Sequence, residues 1–411
     1  MHLYELPLLF VLVGLVFYVV LAGADFGAGI WQLLAGRGER GALIREHAHK
    51  SISPVWEANH VWLIFVLTVT WTAYPTVFAS IASTLSIPLF IAAIGIILRG
   101  AAYALRSGTA SAREQSSIDT VFAISSILTP FALGTMVGAI AARRVPVGNA
   151  AGHLFSSWTG PTSILIGVLA LATSAYLAAV FLAADAARVG ERDLQASFRT
   201  RALVAGITAG AIALAGLVVL HADVHPLYQR LLHGDALAAL IVSILAGAVT
   251  LELVRRQRFE TARYSAALAV AAVVAGWALA QNPVLLPGLT VREAAAPHDT
   301  LVVVIVAVLG GAVILFPSLA LLFRLVLRGQ LDHGEMLAAP TPAPALGTLL
   351  SASAPGLLAR AAGACLLAGF GFLTLAEAGW AHAIGVVALF GFMVCGFLAD
   401  VPSQLAPFDR N

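Results

Sequence analysis

Apolar stretches of about 20 residues, the length that carries a helix across ~30 Å of hydrocarbon, recur along almost the whole chain. They fall near residues 6–34, 55–74, 77–105, 118–142, 161–184, 202–220, 236–254, 264–282, 300–323, 357–376 and 380–399. No water-soluble domain fits between them. Composition agrees: 11% of residues are charged and 60% hydrophobic, against about 25% charged in a soluble protein. The fold class is therefore all-α, a polytopic membrane protein.

The distribution of charge orients the chain. If the spans alternate sides, seventeen Lys and Arg residues, from Arg37 to Arg360, fall in one set of connections. The opposite set holds only Arg143, Arg144, Arg230 and Arg292. The positive-inside rule places the richer set in the cytoplasm and the N-terminus outside. Leu21-Ala22-Gly23-Ala24 imitates a signal-peptide cleavage site, but His2 and Glu5 precede it with no basic residue. A signal peptide has a positive n-region, so the segment is read as an uncleaved first helix.

Nine spans precede a stretch at 329–356 that carries Pro340, Pro342, Pro344 and Pro355 among Ala, Thr and Ser. Such a stretch reads as an extended linker. The expected organisation is a nine-helix core at 1–328, the linker at 329–356, and a transmembrane hairpin with its tail at 357–411. Tyr74-Pro75 ends one helix and starts the next. Pro130 is expected to kink the fourth span, with Ser126 and Thr129 placed to satisfy freed backbone groups. Gly23/Gly27 and Gly134/Gly138 have the spacing that lets helix backbones approach closely. Cys365 and Cys395 lie in apolar segments without any CxxC or Cys/His cluster, and the chain has no Walker loop. Disulfide scaffolds, iron–sulfur ligation, covalent haem attachment and nucleotide or nucleic-acid binding have no support.

Intramembrane carboxylates cost several kcal/mol unless something pairs with them or uses them. Asp25 lies in Gly23-Ala24-Asp25-Phe26-Gly27-Ala28-Gly29, and Glu57 in Trp56-Glu57-Ala58-Asn59-His60-Val61-Trp62. At 1.5 Å per residue Asp25 sits about 14 Å from the cytoplasmic end of its span, and Arg99 about 10 Å from the end of the third. Glu57 opens the second span from the same side, with His60 one turn above it. Asp25, Glu57, Arg99 and His60 are the expected proton-path residues. Trp56, Asn59, Trp62, Gly23, Gly27 and Gly29 are expected to pack helices or subunits. The bland alternative is a buried ion pair that only orients helices. His221 and His225 could share a metal but read as solvated surface residues, and no metal site is expected. Axial haem ligation needs His, Met or Cys directed into a bundle. His60 is the one histidine so placed, Met136 and Met393 are isolated, and no haem is expected on this chain.

These motifs resemble subunit II of the cytochrome bd-type quinol oxidases. The resemblance rests on Gly23-x-Asp25-Phe26-Gly27-x-Gly29, on Ser51-Ile52-Ser53-Pro54-x-Trp56-Glu57-x-Asn59-His60-Val61-Trp62, on Tyr74-Pro75 and on Arg99. A weaker echo lies at Trp158-Thr159-Gly160-Pro161. It implies a respiratory quinol:oxygen oxidoreductase in the bacterial cytoplasmic membrane. In that family two four-helix bundles and one peripheral helix make up the nine-helix core. The partner, subunit I, carries haems b and d and the quinol site. Subunit II supports it, helps form the cytoplasmic proton route and in some members holds a structural quinone. Asp25 matches the helix-1 acid, and Glu57 the helix-2 acid, which is usually Asp. The chain departs from many members in having Leu21 and Ala22 near the place of a second helix-1 acid. It also departs in the hairpin after residue 356, which would cover a lipid-facing surface or contact a small accessory subunit. A proton-coupled secondary transporter using Asp25 and Glu57 is the competing reading, although its midplane sites and broken helices fit acids near one face poorly.

Overall fold

The structure, a computed structural model, describes residues 2–52, 56–106, 112–327, 357–374 and 379–400. They belong to two compact units, residues 1–326 and 327–411. The proposed linker at 329–356 lies outside the described residues.

In the first unit α1 runs unbroken over Leu6–Leu33, about 42 Å at 1.5 Å per residue. Pro7 sits in its first turn, where the missing N–H has no intrahelical partner to lose. The chain leaves α1 through Gly36, at φ +79°, a conformation that costs glycine little. Then α2 (Glu39–Ile52) forms a short amphipathic helix, with Ile44 and Ala48 buried and Arg40, Glu46 and Lys50 exposed. The sequence reading treated this segment as a connection. Its apolar positions are few, but they recur four apart, enough to seal one face.

Next come α3 (Trp56–Ala73), α4 (Pro75–Thr84), α5 (Ser86–Arg106) and α6 (Ala112–Ala141). The expected span at 77–105 is thus two helices, broken at Leu85. Pro88 removes the donor that the Thr84 carbonyl would use, so the ladder cannot run through. Pro130, in contrast, lies inside an uninterrupted α6. The Ser126 and Thr129 hydroxyls donate to the Phe122 and Ser125 carbonyls, at 2.6 and 2.9 Å. The carbonyl freed by Pro130 belongs to Ser126, so these hydroxyls serve the turn before it rather than the expected one.

The second half contains α7 (Pro161–Arg188), α8 (Arg192–Asp223), α9 (His225–Leu231), α10 (Gly234–Arg255) and α11 (Phe259–Gln281). A hairpin of β1 (Val284–Leu286) and β2 (Leu289–Thr290) turns at Pro287-Gly288, with Gly288 at φ +75°. Then follow α12 (Val291–Ala294) and α13 (His298–Leu327). Among the described residues eight helices, α1, α5, α6, α7, α8, α10, α11 and α13, are long and apolar enough to cross a membrane. The apolar part of α3, Asn59–Ala73, is shorter.

Helix α7 is the hub, packed against α1, α6, α8 and α11, and its Ala178, Ala179, Ala183 and Ala184 are fully buried. On one side of it α1 packs on α3 and α6, and α5 on α6; on the other α10 packs on α8 and α11. Glycines set the closest approaches. A methyl group on Gly27 would strike the Ser174 backbone carbonyl of α7, and one on Gly134 would come within 2.8 Å of the Gly167 Cα. In α13 the apolar Val303, Val306, Val313 and Ile314 are exposed, as expected of a lipid-facing helix. In the second unit α14 (Leu357–Thr374) and α15 (Gly379–Asp400) pack on each other, and the Gly369 backbone lies against Leu389.

Candidate functional site

The depth arithmetic for α1 and α5 converges on one point. Asp25, eight residues before the end of α1, and Arg99, seven before the end of α5, form an ion pair with Nη2 3.1 Å from Oδ1. Arg99 is 1% exposed and Asp25 6%. The guanidinium also donates to the Asp25 backbone carbonyl at 2.9 Å and to the Ser126 hydroxyl of α6. Phe26 and Phe122 put ring faces 5.0 and 4.3 Å from its Cζ. From α3, the Asn59 amide hydrogen-bonds the Asp25 carboxylate. A buried charge pair is tolerated when its remaining donors and lone pairs are also used, and here four helices supply the partners.

The glycines of the α1 motif divide their work. Gly23 and Gly27 face Leu177 and Ser174 of α7, whereas Gly29 faces Ser126 and lies 3.3 Å from the Arg99 Nη1 by its would-be Cβ. Gly29 therefore makes room for the ion pair itself. His60 is half-buried, with ring centroids 6.2 Å from Tyr18 and 6.1 Å from Phe26. Trp62 is buried and stacks on Phe17 at 4.5 Å. The backbone of Trp56 and Glu57 belongs to the first turn of α3, but their side chains lie outside the described residues. Of the four expected proton-path residues, the structure joins Asp25 to Arg99 and sets His60 nearby.

A feature the sequence reading overlooked continues from the pair in both directions. Tyr18, Asp25 and Gln32 are seven apart on α1, two turns each, and so share a face. All three are buried. The Tyr18 hydroxyl, the Gln32 Nε2 and the Asn59 Oδ1 have no hydrogen-bond partner among the described residues. The seven-residue spacing of three polar residues within an apolar helix was the available signal. Toward the charged rim, Gln32 joins His49 of α2, Tyr103, Arg106, Asp119 and Phe122 around a narrow crevice. Arg106 and Asp119 pair there at 3.2 Å, and Phe122 bridges the crevice to Arg99. Burial, then the charge of Arg106, pulls the His49 imidazole down to about 4, so it is neutral at neutral pH.

No three His, Cys, Asp or Glu side chains converge as metal ligands among the described residues, and the His60 ring is packed against two aromatics. His221 and His225 are exposed and touch edge to face at 4.8 Å. Asp223 between them is committed to Arg144 at 2.9 Å and to the Thr162 hydroxyl at 2.6 Å.

Comparison with known proteins adds a second line. The sequence family described as cytochrome bd terminal oxidase subunit II matches residues 3–326. Cytochrome bd ubiquinol oxidase subunit 2 of Bacillus subtilis strain 168 is 31% identical over 129 residues, 31% of this chain and 37% of that protein. Cytochrome bd-I ubiquinol oxidase subunit 2 of Escherichia coli K12 is 28% identical over 219 residues, 50% of this chain and 54% of that one. The chain thus spans about a third to a half of these relatives. Among solved structures, the bd oxidase from Geobacillus thermodenitrificans superposes with a TM-score of 0.63 at 25% identity, over 80% of this chain and 99% of that one.

Proposed function

The chain belongs to the cytochrome bd terminal oxidase subunit II family, and from that premise we propose that it serves a quinol-oxidising, oxygen-reducing complex in two ways. It is the scaffold for a haem-bearing subunit I, and it forms part of the route that brings protons from the cytoplasm to the site of oxygen reduction. Haems b and d and the quinol site belong to the partner in this reading; a small accessory subunit, a structural quinone and bilayer lipid complete the expected surroundings. The N-terminus is outside, and the arginine-rich rim faces the cytoplasm. The packing of α1, α3, α5 and α6 on one side and α7, α8, α10 and α11 on the other supports the two-bundle core, with α13 peripheral. The family assignment leaves the transporter reading without support.

The observation that carries the proton role is the buried polar line on α1. It runs from the crevice at Gln32, past the Asp25–Arg99 pair, to Tyr18 and His60. Oxygen reduction consumes protons, and a reaction centre within lipid draws them through groups of this kind. Arg99 occupies Asp25, so the proposal gives Asp25 the part of a fixed charge and Glu57, at the entrance of α3, the part of exchanging acid.

The test is to purify the chain with its natural partners, record the visible spectrum and measure quinol-driven oxygen uptake. A co-purifying subunit should carry b- and d-type absorption. Glu57→Gln should slow turnover without changing that spectrum, whereas Asp25→Asn should chiefly lower stability. Full turnover in both variants would leave the scaffold role alone. Absence of a haem-bearing partner would refute the subunit reading.

A further inference from the structure

Three helices repeat a polar position two turns nearer the arginine-rich rim. Gln32 follows Asp25 by seven residues on α1, and Arg106 follows Arg99 by seven on α5. On α6, which runs the other way, Asp119 precedes Ser126 by seven. Seven residues are close to two whole turns, about 10.5 Å of helix, so each pair of positions shares a face. A second polar tier is thereby built below the Asp25–Arg99–Ser126 tier, on the same three helices.

The structure closes that second tier into one place. Gln32, Arg106 and Asp119 line the narrow crevice together, with Tyr103 of α5, His49 of α2 and Phe122 of α6. Arg106 Nε lies 3.2 Å from Asp119 Oδ1, and the His49 ring sits 5.2 Å from that of Tyr103. The tiers meet at Phe122. Its ring faces the Arg99 guanidinium at 4.3 Å, and its carbonyl accepts from the Ser126 hydroxyl at 2.6 Å. Gln32 is buried and its Nε2 has no hydrogen-bond partner among the described residues, so an unanswered donor lines the crevice. The tiers differ in their access to water. The Arg99 and Asp25 side chains are 1% and 5% exposed, those of Arg106 and Asp119 17% and 23%.

We propose that Asp119 is the acid through which protons enter this chain from the water at the rim. The inference rests on the proton route proposed above, and it adds a loading group to Glu57 rather than replacing it. Among the described residues Asp119 is the one carboxylate lining the crevice, with water on one side of it and the buried polar line on the other. Taking a proton from water at the rim makes Asp119 neutral and loosens its hold on Arg106. Passing that proton into the crevice restores the carboxylate and the pair. Arg106 stays charged throughout, and the neutral His49 adds no competing charge. The charge of Arg45 on α2 also acts on Asp119. Asp25 cannot play this part, because its own pair is sealed from solvent.

The test measures quinol-driven oxygen uptake, between pH 6 and pH 8, by the complex purified with its natural partners. Asp119→Asn keeps the shape of the side chain and a bond to Arg106, so the variant should keep the visible spectrum. It should slow uptake about tenfold at pH 8 but less than about twofold at pH 6, where protons are about a hundredfold more abundant and need no collecting acid. Asp119→Glu should restore most of the rate with a shifted pH profile. Glu252→Gln, which removes an exposed rim carboxylate paired with Arg255 and Arg256, should leave uptake unchanged. A loss in Asp119→Asn that is equal at both pH values, or that Asp119→Glu does not recover, makes the pair structural and overturns the proposal. If Asp119→Asn does not assemble, Asp119→Glu decides alone, and an unshifted profile overturns it. Full uptake at pH 8 in Asp119→Asn beside slow uptake in Glu57→Gln also overturns it, and leaves the route itself standing. Full uptake in both variants removes the route and the loading site together.

Discussion

The Asp25–Arg99 pair makes a sharp energetic prediction. Arg99→Met removes the contact at 3.1 Å and the bonds to the Asp25 carbonyl and Ser126, leaving a carboxylate in a site that is 6% exposed. Breaking one side of a buried pair costs about 3–5 kcal/mol, in line with roughly 5 kcal/mol of Coulomb attraction at this separation and an effective dielectric constant of ~20. Asp25→Leu strands the guanidinium and should cost a similar amount. The double variant Asp25→Leu/Arg99→Met removes both charges and fills the space with apolar volume. It should lose only about 1–2 kcal/mol, chiefly the Asn59 and Ser126 bonds. Melting of the purified protein, followed by tryptophan fluorescence, resolves these cases. A unit of this size shifts by about 1–2 °C per kcal/mol, so each single variant should melt ~4–8 °C low and the double variant should recover most of that. A double variant that melts at or below the weaker single would refute the argument, because the two charges would then not be compensating each other.

Two further predictions concern packing and pH. Gly27→Ala places a methyl on the Ser174 backbone carbonyl, which cannot step aside, and should cost about 3 kcal/mol or more; Gly210→Ala, with nothing within 4 Å of the new methyl, should stabilise α8 by up to about 1 kcal/mol. Equal melting shifts in the two variants would show that α1 and α7 are not in backbone contact at Gly27. His49 titrates at about 4 in the folded chain against an ordinary 6.5. Between those values the unfolded chain takes up a proton that the folded chain refuses, so stability is constant above pH 7 and falls as pH drops from about 6.5 toward 4. His49→Gln should flatten that slope, and identical slopes in variant and wild type would place His49 in water.

Helix identity was legible because a bilayer demands long apolar runs, a signal that survives any ambiguity of local propensity. Where proline interrupts such a run, sequence alone says that the ladder must adjust, not how. Pro88 follows the break of the third span at Leu85, whereas Pro130 leaves α6 continuous. The helix α2 and the β1–β2 hairpin were missed for another reason. Both are short, and a buried Ile44 and Ala48 four apart in a fourteen-residue helix, or a Pro-Gly turn between five strand residues, are weak against a background of long spans. Asp25 and Arg99 were readable as candidates since a charge in lipid needs an explanation. Their partners Ser126, Phe26 and Phe122 were not, because serine and phenylalanine are ordinary in membrane helices and gain meaning only from which helix they face.

The same contacts bear on how the labour is divided within the proposed proton route. A carrier has to gain and lose its proton in every cycle, and it does so most readily when neither state is strongly preferred. Asp25 is poorly suited to that part. Arg99, its partner, is tied to α1 twice, to α6 through Ser126 and to two aromatic rings. Withdrawing it from a protonated Asp25 would break contacts on two helices, α1 and α6, and leaving it in place would bury an unpaired cation. The pair is better suited to hold a fixed dipole across the polar line on α1, with Gln32 and the neutral His49 below it and Tyr18 and His60 above. Exchange then falls to another group, and Glu57, at the start of α3, is the carboxylate the sequence supplies for it. On this view Asp25→Glu, which keeps the charge but lengthens the side chain, should disturb stability far more than the pH dependence of oxygen uptake, while Glu57→Asp should do the opposite. If Asp25→Glu instead moved the pH profile and left melting unchanged, the roles of the two acids would have to be exchanged.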